Sequence, residues 1–253
     1  MALQVNLDKA AEKLRLSLEK VGIVKPPQMD LAFDLDVSGS FRDEHEDGTT
    51  SILLSRLIPW GMVFDPDQKL DVFSFSDGPE NAHYVGEITP QNHENFVRRL
   101  IIGRVPGWGC GTDYSYVLEK NLQHFGWMPS GQAPVVKKGF LSQLFGTKQS
   151  AVATEAPKGK KSCVVFVTDG ENTDKKLTHQ VLRASEQRGD DIYFLFIGIS
   201  NQGGEFRFLN EIADVYGNTG LVVIRNLRQF VAQDDEAINQ QLIGEELLQW
   251  LKK

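Results

Sequence analysis

Asp36-Val37-Ser38-Gly39-Ser40 places one carboxylate and two hydroxyls at alternate positions, directly after the apolar run Met29-Asp30-Leu31-Ala32-Phe33-Asp34-Leu35. In extended chain, residues two apart face the same side, so Asp36, Ser38 and Ser40 converge if the backbone stays extended past the strand end. Gly39 withholds a side chain that would crowd that point. Two later segments carry the same kind of oxygen: Gly109-Cys110-Gly111-Thr112-Asp113 and Val167-Thr168-Asp169-Gly170-Glu171. Carboxylates and hydroxyls together suit a hard cation, Mg2+ or Mn2+; Mg2+ takes about six oxygens near about 2.1 Å and keeps several waters. Neither thiol nor imidazole is required.

Each segment lies where a regular element begins or ends. Ser162-Cys163-Val164-Val165-Phe166-Val167 is a β-branched apolar run of the kind buried on both faces in a parallel sheet. Asp169 therefore follows a strand's C-terminal end, as Asp36 does. In open α/β sheets that edge binds ligands, at the point where strand order reverses. Gly107-Trp108-Gly109-Cys110-Gly111 is a glycine-dense turn opening a helix from about Asp113 to Phe125, with Thr112 at its N-terminus. All three pieces are expected on one rim.

These residues resemble the von Willebrand factor A (vWA) domain family and its metal-ion-dependent adhesion site. The family pattern is D-x-S-x-S, then a Thr after a Gly-rich turn, then an Asp after a later strand, matched by Asp36, Ser38, Ser40, Thr112 and Asp169. A lone D-x-S-x-S is a weak signal because Asp and Ser are ordinary turn residues; three parts in order are stronger. Val5-Asn6-Leu7-Asp8-Lys9, the run Leu53 to Asp67, and Leu70-Asp71-Val72-Phe73-Ser74-Phe75 are similar to bacterial tellurium-resistance A domains of the TerF type. The resemblance implies that Ser38, Ser40 and Thr112 reach the cation directly, and that Asp36 and Asp169 do so directly or through water. It also implies a protein-binding role in tellurite or stress resistance, with a carboxylate from a protein partner completing the metal's shell. Phe41 stands where the subgroup usually has Met, and Cys110 where it has Gly; neither supplies or removes a ligand oxygen.

A competing enzyme reading starts at Asp34. Asp34-Leu35-Asp36-Val37-Ser38 fits D-x-D-x-T/S and resembles the nucleophile motif of haloacid-dehalogenase-type phosphohydrolases, with Thr168 as a second motif. Asp34 would be the nucleophile, Asp36 a general acid and Mg2+ the phosphate clamp. Gly189-Asp190-Asp191 precedes its strand, whereas that family needs its acidic pair after one. The turn at Thr112 is also left unexplained, so the non-enzymatic reading is favoured.

The chain has 253 residues, 41% of them hydrophobic, enough to bury the core of one α/β domain. Two cysteines, Cys110 and Cys163, are too few for a disulfide framework and fit a reducing cytosol. No signal-peptide pattern and no long apolar stretch is evident, so a soluble cytoplasmic protein is expected. A net charge of −7 argues against general nucleic-acid binding.

Alternating elements predict a doubly wound, mostly parallel open sheet with helices on both faces and an antiparallel edge strand. Residues 1–28 are expected as an N-terminal helical extension with a helix over Asp8–Lys20, although Leu14-Arg15-Leu16-Ser17-Leu18 also alternates as a strand would, and residues 29–253 as the A domain. Helices are expected over Asp47–Val63, kinked or divided by Pro59, over Thr89–Ile101, Lys175–Arg188 and Glu205–Asp214, and over a single Asp234–Leu251. Strands are expected at Leu70–Phe75, near Ala82–Val85, at Ile192–Ile197 and at Leu221–Ile224.

Met128 to Lys161 is the compositional outlier: six lysines against Glu155 give +5 in a chain of −7. Small and polar residues make it an insertion expected to be mobile. Phe140, Leu141, Leu144 and Phe145 form an apolar face beside lysines, a turn docking on its own domain or an anchor for a partner or anionic membrane at 137–148. Trp108 is either a partner contact or loop packing. Arg42-Asp43-Glu44-His45-Glu46-Asp47 reads as a solvated acidic loop. The histidines at 45, 83, 93, 124 and 179 show no paired spacing for a transition metal.

Overall fold

A computed structural model describes residues 6–129, 159–200 and 203–253, and among these the apolar runs form one six-stranded sheet. In chain order the strands are β1 (Asp30–Asp36), β2 (Leu70–Phe75), β3 (His83–Ile88), β4 (Ser162–Thr168), β5 (Ile192–Ile199) and β6 (Thr219–Ile224). They lie in the order β3-β2-β1-β4-β5-β6, and every pairing is parallel except β2 with β3. This is the doubly wound sheet with an antiparallel edge strand that the alternation predicts. From β1 the chain builds outward through β2 and β3, then returns to the other side for β4, β5 and β6. Strand order therefore reverses between β1 and β4, and the crevice at their carboxyl ends is the natural ligand position of such a sheet.

Period-two alternation divides β1 between two cores. Leu31, Phe33 and Leu35 join Val165, Val167, Leu195 and Ile197 beneath α1 (Leu7–Lys20), α3 (Thr49–Phe64), α4 (Phe96–Leu100), α8 (Leu227–Val231), α9 (Asp235–Leu242) and α10 (Glu245–Leu251). On the opposite face, Ala32, Phe73, Phe75, Val164, Phe166, Phe194 and Phe196 pack beneath α5 (Ser115–His124), α6 (Lys175–Arg188) and α7 (Arg207–Val215). Asp34 and Asp36 share the parity of Ala32 and so belong to this second face. α1 begins where Asn6 Oδ1 accepts from Lys9 N–H, an N-cap that satisfies one free donor of the first turn. Its Leu14 and Leu18 are fully buried, against α3 and α9.

Local chemistry moved several boundaries. Pro59 does not divide α3: the buried side of Leu53, Leu54, Leu57, Ile58, Trp60 and Phe64 carries the helix across it. The helix expected over Thr89–Ile101 shrinks to α4. Asn92 Oδ1 takes the Thr89 N–H at 2.8 Å, and Asn95 adopts φ 57, so turns use the groups a helix would need. The single C-terminal helix is two, broken at Ile243 and at Gly244, whose ψ is 170. Residues 42–47 are not a solvated loop: α2 (Arg42–Glu46) buries His45. The proposed contacts Phe140 and Phe145, and the membrane-surface segment 137–148, lie outside the described residues. No helix of the described residues is long and apolar enough to cross a membrane.

Candidate metal centre

β1 and β4 run side by side, with Leu35 opposite Val167, so Asp36 emerges next to Thr168 and Asp169. Asp36 is fully buried; its Oδ1 accepts from Ser38 N–H at 2.8 Å and its Oδ2 from Thr168 Oγ1 at 2.6 Å. The backbone does not stay extended beyond Ser38. Gly39–Phe41 forms a tight helical turn, and that turn brings Ser40 Oγ to 3.2 Å from Ser38 Oγ. Ser40 then donates to Asp169 Oδ1 at 2.9 Å. With the Ser40 proton committed to Asp169, the Ser38 hydroxyl is the donor of the pair, and a directed chain runs Ser38 to Ser40 to Asp169. Gly39 serves a neighbour and not the convergence point, because a Cβ there would meet the Gly109 carbonyl oxygen at 3.2 Å.

The glycine-dense turn is bound to this rim through its backbone. Gly109 N–H donates to Val37 O at 2.8 Å, and Gly39 N–H to Cys110 O at 3.0 Å. Gly107 sits at φ 69 against Ser76 Oγ and Asn81, where any Cβ would collide. Thr112 is buried, and its carbonyl accepts from Thr173 N–H at 3.0 Å. Its hydroxyl bonds none of the other four residues among those described. α5 starts at Ser115, later than expected, and its cap comes from another loop. Asp174 Oδ1 and Oδ2 accept from Tyr114 and Ser115 N–H at 3.0 and 2.8 Å. Asp113 also ties loops together, accepting from Gly78 N–H and Thr173 Oγ1. The structure thus gathers Asp36, Ser38, Ser40 and Asp169 into one cluster, while Thr112 follows the Gly109–Cys110 turn that is bonded to Val37 and Gly39.

Burial pushes the Asp36 carboxyl up to about 7, the charge of Asp169 adds to the push, and the bonds from Thr168 and Ser38 oppose it. Burial also raises Asp169, with the charge of Glu44 adding to it. A positive dication between the two would reverse both effects. The donor set therefore fits a hard divalent cation: two carboxylates that favour a positive neighbour, and hydroxyls whose lone pairs remain available. Among the described residues no group of three or more His, Cys, Asp or Glu is placed to hold a metal, so a soft-ligand cage is not the arrangement here. Ser40 is exposed and Asp169 half-buried, which opens the cluster to solvent on one side.

Asp34 lies on the same face as Asp36, one step deeper and fully buried. Its Oδ2 accepts from Asn121 Nδ2 at 2.6 Å, and burial raises its pKa well above the ordinary value. A carboxyl sealed between sheet and α5 is poorly placed to attack a phosphoryl group, which weighs against the nucleophile reading. Trp108 is half-buried and packs its ring 5.3 Å from His45, with Arg42 5.8 Å above it, so it serves at least as packing for the loop. Cys110 is exposed and Cys163 buried, and both are free thiols.

Sequence reasoning missed His45 and Asp174. His45 Nε2 lies 2.8 Å from the Asp36 carbonyl and Nδ1 3.0 Å from Thr50 Oγ1. A carbonyl only accepts, so Nε2 carries the proton. Burial holds the pKa of His45 down to about 4, so the ring is neutral and Nδ1 accepts from Thr50. The available signal was spacing: His45 follows Phe41 by four, one turn along the same buried face, and their rings meet at 5.0 Å.

No protein-family model matches the chain. The uncharacterized protein YcbR of Bacillus subtilis (strain 168) is 25% identical over 251 residues, covering 98% of this chain and 87% of that protein. Among solved structures, proximal thread matrix protein 1 from the mussel byssus is similar at TM-score 0.48 and 14% identity, over 85% of this chain and 48% of that one. A form of the mussel protein with a zinc-occupied MIDAS motif gives 0.49 and 14%, over 86% and 48%. The chain spans about half the length of these solved structures.

Proposed function

We propose that the protein is a non-enzymatic, metal-dependent binding module of the vWA type, in which Asp36, Ser38, Ser40, Thr112 and Asp169 hold Mg2+ or Mn2+. The observation that carries this reading is the hydroxyl chain from Ser38 through Ser40 to Asp169. It joins the ends of β1 and β4 at the reversal of strand order and leaves one side open. When bound, the cation supplies a coordination position that a carboxylate from a protein partner fills. The chain's own residues do the rest. Thr168 and the Ser38 amide hold Asp36 still, the Val37–Gly109 and Gly39–Cys110 bonds hold the loop against the cluster, and Asp174 fixes the start of α5 behind Thr112. The resemblance to TerF-type A domains supports the further reading that the module serves a tellurite- or stress-resistance complex in the cytoplasm, with the 128–161 insertion as an added contact.

Titration calorimetry with Mg2+ and Mn2+ tests the metal assignment on wild type, Asp36→Ala and Asp169→Ala. We expect one site of micromolar to millimolar affinity in wild type, because two carboxylates with neutral hydroxyls make a weaker site than a multi-carboxylate cage. Neither variant should bind measurably. Unchanged binding in both variants refutes the site, and a pull-down with and without chelator then tests the partner.

A further inference from the structure

Three segments of the rim meet at one buried side chain that supplies no ligand. His45 of α2 is completely buried. Its Nε2–H donates to the carbonyl of Asp36 at 2.8 Å, and its Nδ1 lies 3.0 Å from Thr50 Oγ1, in the first turn of α3. Its ring meets Phe41 edge-on at 5.0 Å and Trp108 at a tilt at 5.3 Å. Phe41 closes the turn that carries Ser40, and Trp108 precedes Gly109, whose N–H is bonded to Val37. The imidazole is thus in contact with the strand end bearing Asp36, the turn bearing Ser40 and the loop leading to Thr112.

From this junction we infer that His45 is a positioning residue for the metal centre, fixing the spacing of the ligand-bearing segments and so setting cation affinity. The inference rests on the metal reading above. The backbone of Asp36 is where β1 ends, so its carbonyl is taken by the His45 ring. Without that donor the buried carbonyl loses a hydrogen bond, and the backbone that aims the Asp36 carboxylate gains freedom. A shift of a few tenths of an ångström in one ligand matters most for Mg2+, which demands near-ideal octahedral geometry. Removing a group that orients a metal ligand typically weakens affinity about 10- to 100-fold.

The test is Mn2+ and Mg2+ titration calorimetry on the full chain, with thermal unfolding in chelator as the control for stability. His45→Phe keeps a ring against Phe41 and Trp108 but removes both hydrogen bonds. His45→Gln loses ring packing but keeps an amide that can donate to Asp36 O and accept from Thr50. Positioning predicts that Mn2+ affinity falls about tenfold or more in His45→Phe and stays within about threefold of wild type in His45→Gln, with Mg2+ losing more than Mn2+. Should His45→Phe not fold, Thr50→Val carries the test: it deletes only the hydroxyl that orients Nδ1, and an affinity loss clearly beyond about threefold supports the inference. Unchanged affinity in His45→Phe, or in Thr50→Val if that variant must stand in, overturns it. So does an equal loss in His45→Phe and His45→Gln, which tracks packing alone. Wild type that takes up neither cation refutes the metal reading itself, a failure distinct from that of His45.

Discussion

Two aspartates stand two residues apart on β1, on the same face of the sheet and both fully buried, yet their surroundings differ in kind. Asp34 lies between β2 and β4, opposite Phe73 and Phe166; its Oδ2 accepts from the amide of Asn121, and its Oδ1 has no hydrogen-bond partner among the described residues. Asp36 lies at the strand's end, where Ser38 N–H and Thr168 Oγ1 engage both of its oxygens and Asp169 faces it. Desolvation raises both, but only Asp36 has a second carboxylate beside it, Asp169, within a cluster that Ser40 and Asp169 open to solvent. Depth along a strand, about 7 Å for two residues, separates a core acid from a ligand acid.

Neutralising each acid in turn separates the two roles most widely. Asp36→Asn should lose about 100-fold or more in Mg2+ affinity, since affinity follows ligand charge, while Asp34→Asn stays within about threefold of wild type. Calorimetry showing the reverse order would make Asp34 the ligand and void the assignment. Asp34→Asn should also show no phosphate-ester hydrolysis to lose relative to wild type. Turnover in the purified wild type that vanishes in this variant would restore the nucleophile reading.

A second test removes the partner of the core acid. Asn121→Leu leaves Asp34 buried with no side-chain partner and should cost about 1–3 kcal/mol by urea denaturation, whereas adding Asp34→Leu should recover most of that loss. A double variant as unstable as the single one would show that the pair is not the unit of stability.

The pH dependence of the same pair sharpens the contrast. Because the folded-state pKa of Asp34 is raised, the native chain keeps a proton that the unfolded chain releases. The stability attached to this group is therefore full below the unfolded value near 3.8 and is lost as pH rises. The stability of Asp34→Asn relative to wild type, measured in chelator, should accordingly improve steadily from pH 4 upward. In wild type the parallel decline due to Asp36, running toward about 7, should shrink when Mn2+ is added. A difference between Asp34→Asn and wild type that does not change with pH would mean that Asp34 is ionised in the fold.

The smallest expected effect concerns the wall of the crevice. Asp174→Ala removes the carboxylate that receives two N–H groups at the start of α5 and should cost about 1 kcal/mol, the usual worth of an N-cap. Mg2+ affinity should fall only a few-fold, through Thr112. A loss equal to that of Asp36→Asn would make Asp174 part of the centre itself.

Much of the fold was legible in the residue pattern, because burial on both faces leaves continuous apolar strands such as Ser162–Thr168, and alternation with helices forces a parallel sheet. Boundaries were less so wherever a side chain competes for backbone hydrogen bonds, as Asn92 does before α4. The rim residues could be picked out from three short segments, but their arrangement could not. Extended chain from Asp36 to Ser40 was the natural expectation, and the turn at Gly39–Phe41 replaced it because Gly109 and Cys110 claim Val37 and Gly39 from across the crevice.

Contiguous residues were enough to show which groups were available: two acids that follow apolar strands, two serines and a threonine among glycines, and the strand alternation that sends Asp36 to the carboxyl edge. Local order is enough for that, since strand period and strand ends are properties of contiguous residues. Only the tertiary structure decided that Asp34 is sealed under α5 by Asn121, that Ser40 bridges to Asp169 across 129 positions, and that His45, placed in a charged stretch, is buried against Asp36. Those outcomes depend on which distant segments share a crevice, and hydrogen bonding and desolvation act only once packing has brought the partners together.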